Sequence, residues 1–249
     1  RGCNAVELCT ETSTRLILVA ATPSGGEVQQ RDLLAPGIMA LEPAHSWDWS
    51  GFADRGDGLL SYEVCIGTSP YGCQLLDFLP VGEQTAWAAS ATGGLTFQCG
   101  ATYHLAVRAT NCAGLQHVVA SAGAKYCCEA PSGGRVELIG AAGGGRVFAS
   151  RLEGRTLAWS GFREACSGVN EYEVSLLAST GEALWSAVVG GGNTSHALPQ
   201  SVDALVAHGR EYWLVVAATS GAGLSGNASL ALTIDQSAPV VGSVLDGAR

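Results

Sequence analysis

The sequence predicts an all-β chain built from two tandem β-sandwiches, and three observations carry that prediction. Landmarks recur at one spacing: Trp49-Ser50-Gly51-Phe52 returns as Trp159-Ser160-Gly161-Phe162, Tyr62-Glu63-Val64 as Tyr172-Glu173-Val174, and Tyr103 to Leu115 as Tyr212 to Leu224, at offsets of 110, 110 and 109 residues. Landmarks that keep one offset across this much chain mean two copies of one module. Apolar residues alternate with period two, as in Tyr103-His104-Leu105-Ala106-Val107-Arg108-Ala109 and its counterpart Tyr212 to Ala218. That is the pattern of a strand with one face on a core, and no stretch keeps a helical period. Finally, 34 glycines, eight prolines and a charged fraction of only 14% favour short strands joined by many turns.

In chain order the first copy shows strand signals at Arg15 to Ala21, His45 to Ser50, Tyr62 to Ile66, Gln74 to Leu79, Thr85 to Ala89, Tyr103 to Thr110 and Gln116 to Tyr126. About seven strands at this spacing suit a sandwich. The second copy repeats them from Arg135 to Asp235, and Ala238 to Gly247 reads as the first strand of a third. The expected modules are therefore residues 9–126 and 127–237, with 238–249 opening a truncated third. Arg1 opens the chain without a basic-apolar-small signal pattern, so the expectation is a piece of a longer protein.

Composition narrows the function classes. A formal charge of -9 and a pI near 4.9 leave no basic patch for a phosphate backbone, so no nucleic-acid partner is expected. The longest apolar run, Leu16 to Ala21, is too short to cross a bilayer, and membrane contact is not indicated. Nine cysteines without a C-x-x-C pair point to an oxidising, extracellular or cell-surface setting. The sequons Asn193-Thr194-Ser195 and Asn227-Ala228-Ser229 agree with it as glycosylation sites, chance matches being the plain alternative.

Motifs with catalytic connotations dissolve on inspection. Gly221 to Gly226 matches G-x-G-x-x-G after a strand, but Leu230 to Ile234 reads as a strand where a dinucleotide site needs a helix, so a hairpin turn is expected. His45, His104, His117, His196 and His208 sit singly, without metal-ligand spacing, and no G-x-S-x-G elbow occurs. No metal, cofactor or catalytic residue is assigned, and enzyme activity is not expected. Arg55-Gly56-Asp57 is an integrin-type tripeptide in the loop after the second strand, where an acidic, glycine-bearing tip is the plain reading. Asp54 and Asp57 are too few oxygens for Ca²⁺.

The core Trp on the second strand, the tyrosine opening the penultimate strand, and the run Tyr103 to Gly114 together resemble fibronectin type III/immunoglobulin-like modules of large extracellular proteins. The paired Trp-Ser-Gly-Phe and Tyr-Glu-Val elements and Ala238 to Gly242 are similar to a variant in repetitive surface proteins of algae, protists and some animals. The usual proline before the corner tyrosine is replaced nearby by Gly100 and Gly209. Arginine outnumbers lysine twelve to one, Lys125 being the only lysine; this suits a GC-rich genome such as a green alga's, and a ciliary-surface, mastigoneme-like glycoprotein.

The sandwich topology implied by that resemblance yields disulfide expectations: Cys9 with Cys112, Cys65 with Cys73, Cys99 with Cys127, and Cys128 with Cys166. Cys3 would pair with an upstream module, and Cys127-Cys128 would clamp the linker to both modules. With Tyr212, Leu214, Val216 and Ala218 on the core, alternation turns Trp213 and Val215 outward, where the first module presents His104, Ala106 and Arg108. Leu177 should share that face, with Trp185 beside it, as a contact for other modules or copies of the parent assembly. The function expected is a structural rod or spacer segment of a fibre or surface glycoprotein. The alternative is an adhesion or receptor ectodomain with a protein or glycan ligand.

Overall fold

The computed structural model of the chain describes residues 2–11, 21–39, 45–55, 58–141, 146–238 and 242. All but Ala21 of the strand expected from Arg15 to Ala21, nearly all of Ala238 to Gly247, and Gly56 and Asp57 of the tripeptide lie outside the described residues.

In the first repeat the strands are β1 (Gly2–Cys3), β2 (Cys9–Thr10), β3 (Ser24–Gln30), β4 (Leu33–Ala35), β5 (Ile38–Met39), β6 (Ser46–Ala53), β7 (Leu59–Gly67), β8 (Leu76–Gly82), β9 (Ala86–Ala88), β10 (Thr102–Asn111), β11 (Gln116–Ala120) and β12 (Ala124–Tyr126). The second repeat contributes β13 (Arg135–Leu138), β14 (Arg146–Ala149), β15 (Thr156–Ser160), β16 (Val169–Ala178), β17 (Ala183–Gly190), β18 (Ser195–Ala197), β19 (Glu211–Ser220) and β20 (Ser225–Ile234). The run expected as one strand from Gln116 to Tyr126 is two, separated at Ser121 to Gly123, where Gly123 has a φ of 86°. Strand β3 lacked a sequence signal because Ser24-Gly25-Gly26-Glu27 carries no apolar alternation.

The chain divides into two compact units: Arg1–Asp32 with Ala44–Thr96 and Thr102–Gly123, and Leu33–Pro43 with Phe97–Ala101 and Ala124–Arg249. In the first unit, β3–β6–β9 forms one antiparallel sheet, and β8, β7, β10 and β11 form the other. Trp47, Trp49, Val64, Ile66, Leu105 and Val107 are buried in it. In the second unit, β13–β15–β18 lies against the five-stranded sheet β14–β20–β19–β16–β17. Its core joins Leu138, Leu152, Leu157, Trp159, Val174, Leu176, Leu214, Val216, Leu232 and Ile234. The same unit holds the parallel pair β5–β12, the counterpart of the parallel pair β14–β20. Both units are β-sandwiches, with one apolar face per strand turned inward.

The repeated landmarks are one device used twice. Trp49 meets the Tyr62 ring edge-on at 5.8 Å and Phe52 lies 5.5 Å from it; Trp159 and Phe162 sit 5.2 and 5.6 Å from Tyr172. Three aromatic rings thus tie the two sheets together in each sandwich. The glycine between Trp and Phe has a φ of 74° at Gly51 and 79° at Gly161, which L side chains avoid. Opposite it Gly26 and Gly134 lie flat under the Phe52 and Phe162 rings, where a Cβ would come within 2.6 and 2.3 Å. Tyr212, without a preceding proline, still accepts a hydrogen bond on its hydroxyl from the Ala207 N–H at 2.8 Å, so a corner closes there.

Candidate functional site

The cysteines make four disulfides, and three of the expected pairings are corrected. Cys65–Cys73 forms as expected. Cys9 bonds Cys3, not Cys112. The Asn4 side chain accepts from the N–H groups of Val6 and Leu8, turning the chain so that Cys3 and Cys9 face each other in register. Cys3 therefore needs no upstream partner, and Cys112, exposed at the β10–β11 turn, belongs to none of the four bonds. Cys99 bonds Cys128, not Cys127, and Cys166 bonds Cys127, not Cys128. Neighbouring residues of an extended chain point to opposite sides. Cys127 is turned inward and fully buried, whereas Cys128 is exposed, as is Cys99.

Around Cys166 the backbone is held by polar groups. The Lys125 ammonium donates to the Cys166 carbonyl at 3.2 Å. The Glu164 carboxylate accepts from the N–H groups of Cys166 and Ser167 at 2.8 and 2.6 Å, and from the Ser167 hydroxyl at 2.9 Å. Burial pushes the Glu164 pKa up, but these hydrogen bonds and one from the Gly168 N–H outweigh it and hold the group below its ordinary value. In the first repeat Asp54, at the same offset, accepts from Gly58 N–H and from the Asn111 amide, each at 3.2 Å. Its oxygens close the loop; Asp57 lies outside the described residues. Gly221 to Leu224 is a tight turn between β19 and β20, closed by Ser220 N–H to Leu224 O at 2.9 Å.

The outer face of the five-stranded sheet carries the expected apolar strip with one correction. Tyr212, Leu214, Val216 and Ala218 are buried, and Trp213 is 42% exposed with Leu177 directly opposite on β16. Val215 is half-buried, between Ser175 and Ser229. Trp185 does not join them. It pairs with Leu176, on the core side, and stacks on His196 with ring centroids 5.8 Å apart. Trp185 follows the regular register of the β16–β17 pair and so shares the inward side of Leu176, and the shift beyond that pair sets Ala183 beside Leu177. A residue the sequence reading missed is Phe148, 55% exposed on β14, the other neighbour of β20. Its signal was the short alternation Arg146-Val147-Phe148-Ala149, whose valine and alanine point inward.

The first unit does not present the matching surface. His104 and Ala106 are buried, contrary to the outward placement expected of them, and Arg108 is ion-paired to Glu63 at 2.6 Å with its guanidinium 3.8 Å above the Phe78 ring. Ala106 stands opposite Cys65, whose bond to Cys73 brings Gly72 back beside Cys65 and Gly67. His104 lies against Gly123 and bonds the Ser121 carbonyl through Nδ1 at 3.0 Å. Of the two sequons, Asn193 occupies the turn after β17, with its amide bonded to Gly190 O at 3.0 Å. Asn227 is exposed on β20 opposite Ala217, on the same outer face as Trp213.

Among the described residues no three His, Cys, Asp or Glu side chains converge as a metal site would require, and no helix is long and apolar enough to cross a membrane. No protein-family model matches the chain, and no curated protein matches it. Solved structures do. A two-domain fibronectin type III segment from chicken tenascin is similar at 15% identity and a TM-score of 0.32, covering 86% of this chain and 99% of that one. A segment of a 1.5-MDa bacterial ice-binding adhesin is similar at 15% identity and a TM-score of 0.44 over 86% of this chain and 67% of its own. The fibronectin(III)-like modules of Clostridium thermocellum CbhA are similar at 11% identity and a TM-score of 0.42, over 84% and 94%.

Proposed function

We propose that the chain is a spacer segment of an extracellular or cell-surface glycoprotein, built from tandem sandwich modules, 9–126 and 127–237, with a third beginning at 238. The observation that carries this reading is the Cys127-Cys128 dipeptide. Its two sulfurs enter different disulfides, Cys128 with Cys99 before β10 and Cys127 with Cys166 before β16. Two covalent ties on adjacent residues remove the dihedral freedom that lets a linker bend. Bonds of this kind persist where thiols are oxidised, in keeping with glycans on Asn193 and Asn227. The arginine bias is the ground for an algal, ciliary-surface parent. Small-angle scattering tests the spacer reading: Cys127→Ser with Cys166→Ser broadens the distribution of shapes relative to wild type, and equal breadth in both proteins refutes it. A second reading, an adhesive ectodomain, is favoured by the exposed Trp213 and Phe148, with half-buried Leu177 opposite Trp213, which suit packing against another module or copy of the assembly.

A further inference from the structure

Beside the repeated Trp-Ser-Gly-Phe element the second unit holds a cleft of about 370 Å³ lined by Ser132, Gly133, Arg135, Ser160, Gly161 and Arg163. Its floor is backbone. Arg135 pairs with Ser160, and Ser132 with Arg163. Between these pairs Gly133 and Gly161 face each other at φ values of 78° and 79°, so close that a Cβ on Gly161 would stand 2.8 Å from the Gly133 carbonyl oxygen. Glycine is required at both, and the absence of side chains there leaves the space open.

Two cations line this space and no acid does. Among the described residues Arg31, Arg108 and Arg146 have carboxylate partners, whereas neither Arg135 nor Arg163 has an ion pair or a side-chain hydrogen bond. Glu137, next along the same face of β13, makes no ion pair with Arg135. Acidic residues outnumber basic ones, 22 to 13, so this cleft departs from the character of the chain.

The first unit shows that the fold does not need these arginines. There Glu27 pairs with Ser50 and Ser24 with Ala53, around Gly25 and Gly51 at φ values of 73° and 74°, with a Gly25 Cβ again held off, 2.7 Å from the Gly51 oxygen. The same backbone thus carries glutamate in place of Arg135 and alanine in place of Arg163.

We propose that the Arg135–Arg163 cleft binds the carboxylate or sulfate group of an acidic saccharide. Guanidinium forks match the paired oxygens of both groups, and the Ser132 and Ser160 hydroxyls and the glycine carbonyls are point contacts for sugar hydroxyls. The net charge of -9 disfavours a densely charged polyanion and selects a ligand with isolated charges. An acidic peptide added along edge strand β13 would not reach across the cleft, because left-handed Gly133, just before that strand, breaks the straight row of amides that β-augmentation uses. The proposal stands apart from the spacer reading and holds whether or not the segment is stiff.

Titration calorimetry and saturation-transfer NMR on the whole chain test it, with glucuronate, a sulfated N-acetylglucosamine, the neutral parent sugars, sodium sulfate and a glutamate-rich peptide as probes. The acidic sugars bind and the neutral ones do not. Binding weakens at least about tenfold in Arg135→Glu with Arg163→Ala and is partly kept in Arg135→Lys, as expected when bidentate contacts are lost. The double variant copies the lining of the first unit, and an unchanged circular dichroism spectrum confirms that it folds. The proposal is overturned if the acidic sugars fail to bind, if the double variant binds them equally, if free sulfate binds as tightly as the sulfated sugar, or if only the peptide binds.

Discussion

The two sandwiches share an inner face and differ on the outer one. Leu105 and Leu214, at equivalent places on β10 and β19, are both fully buried, as are Trp49 and Trp159 to within a few per cent. Outside, the first unit is covered: His104 and Ala106 are buried, the loop closed by Cys65–Cys73 folds back beside Cys65, and His104 lies against Gly123. The second has Ser175 where the first has Cys65 and Trp213 where the first has His104, and its sheet is open. An inner face is constrained by close packing, so duplicates keep it; an outer face is free to diverge, and there the two copies differ.

The largest expected effect probes what the units share. Leu105→Ala and Leu214→Ala each destabilise their own sandwich by about 3–4 kcal/mol, measured by chemical denaturation; a difference beyond about 1.5 kcal/mol would break the equivalence of the two inner faces. Next comes the covering of the first unit. Cys65→Ser with Cys73→Ser lowers its stability by about 2–3 kcal/mol, the chain-entropy value for so short a loop, and raises binding of an apolar dye. The open face of the second unit responds in the opposite sense. Trp213→Ser changes stability by no more than about 0.5 kcal/mol while weakening self-association seen by sedimentation; undiminished association by the folded variant removes that face as a contact.

The smallest effect concerns the acid that closes the same loop in both repeats. Because the Glu164 pKa is depressed in the folded protein, its contribution is fully present above the ordinary glutamate pKa and is lost as pH falls through the lower folded value. Glu164→Gln flattens that part of the acid-unfolding curve for the second unit, whereas Glu153→Gln, on the same unit, leaves it in place. Equal curves for the two variants would show that the Glu164 hydrogen bonds do not support the fold.

The sandwich, its strand alternation and its hairpin turns were legible because they are local. A period of two assigns Leu214 to the core and Trp213 to the outside whatever the partner strand is, and a tight turn needs only its own glycine. The Arg135–Arg163 cleft was hidden by bookkeeping along the chain. Glu27 and Arg135 are 108 residues apart while Ser50 and Ser160 are 110 apart, so a fixed offset does not superpose them; only the strand register does.

By itself, then, the sequence determined a duplicated all-β chain, the aromatic landmarks repeated in each copy, and which side chains of a strand share a face, since these follow from backbone geometry and short-range periodicity. The tertiary structure decided what depends on distance between remote segments. It chose between Cys127 and Cys128 by which sulfur faces inward, set Trp185 on the core side through its pairing with Leu176, and covered one outer face while leaving the other bare. A disulfide or a buried surface requires two pieces of chain to arrive together, and no spacing within one piece records where the other will be.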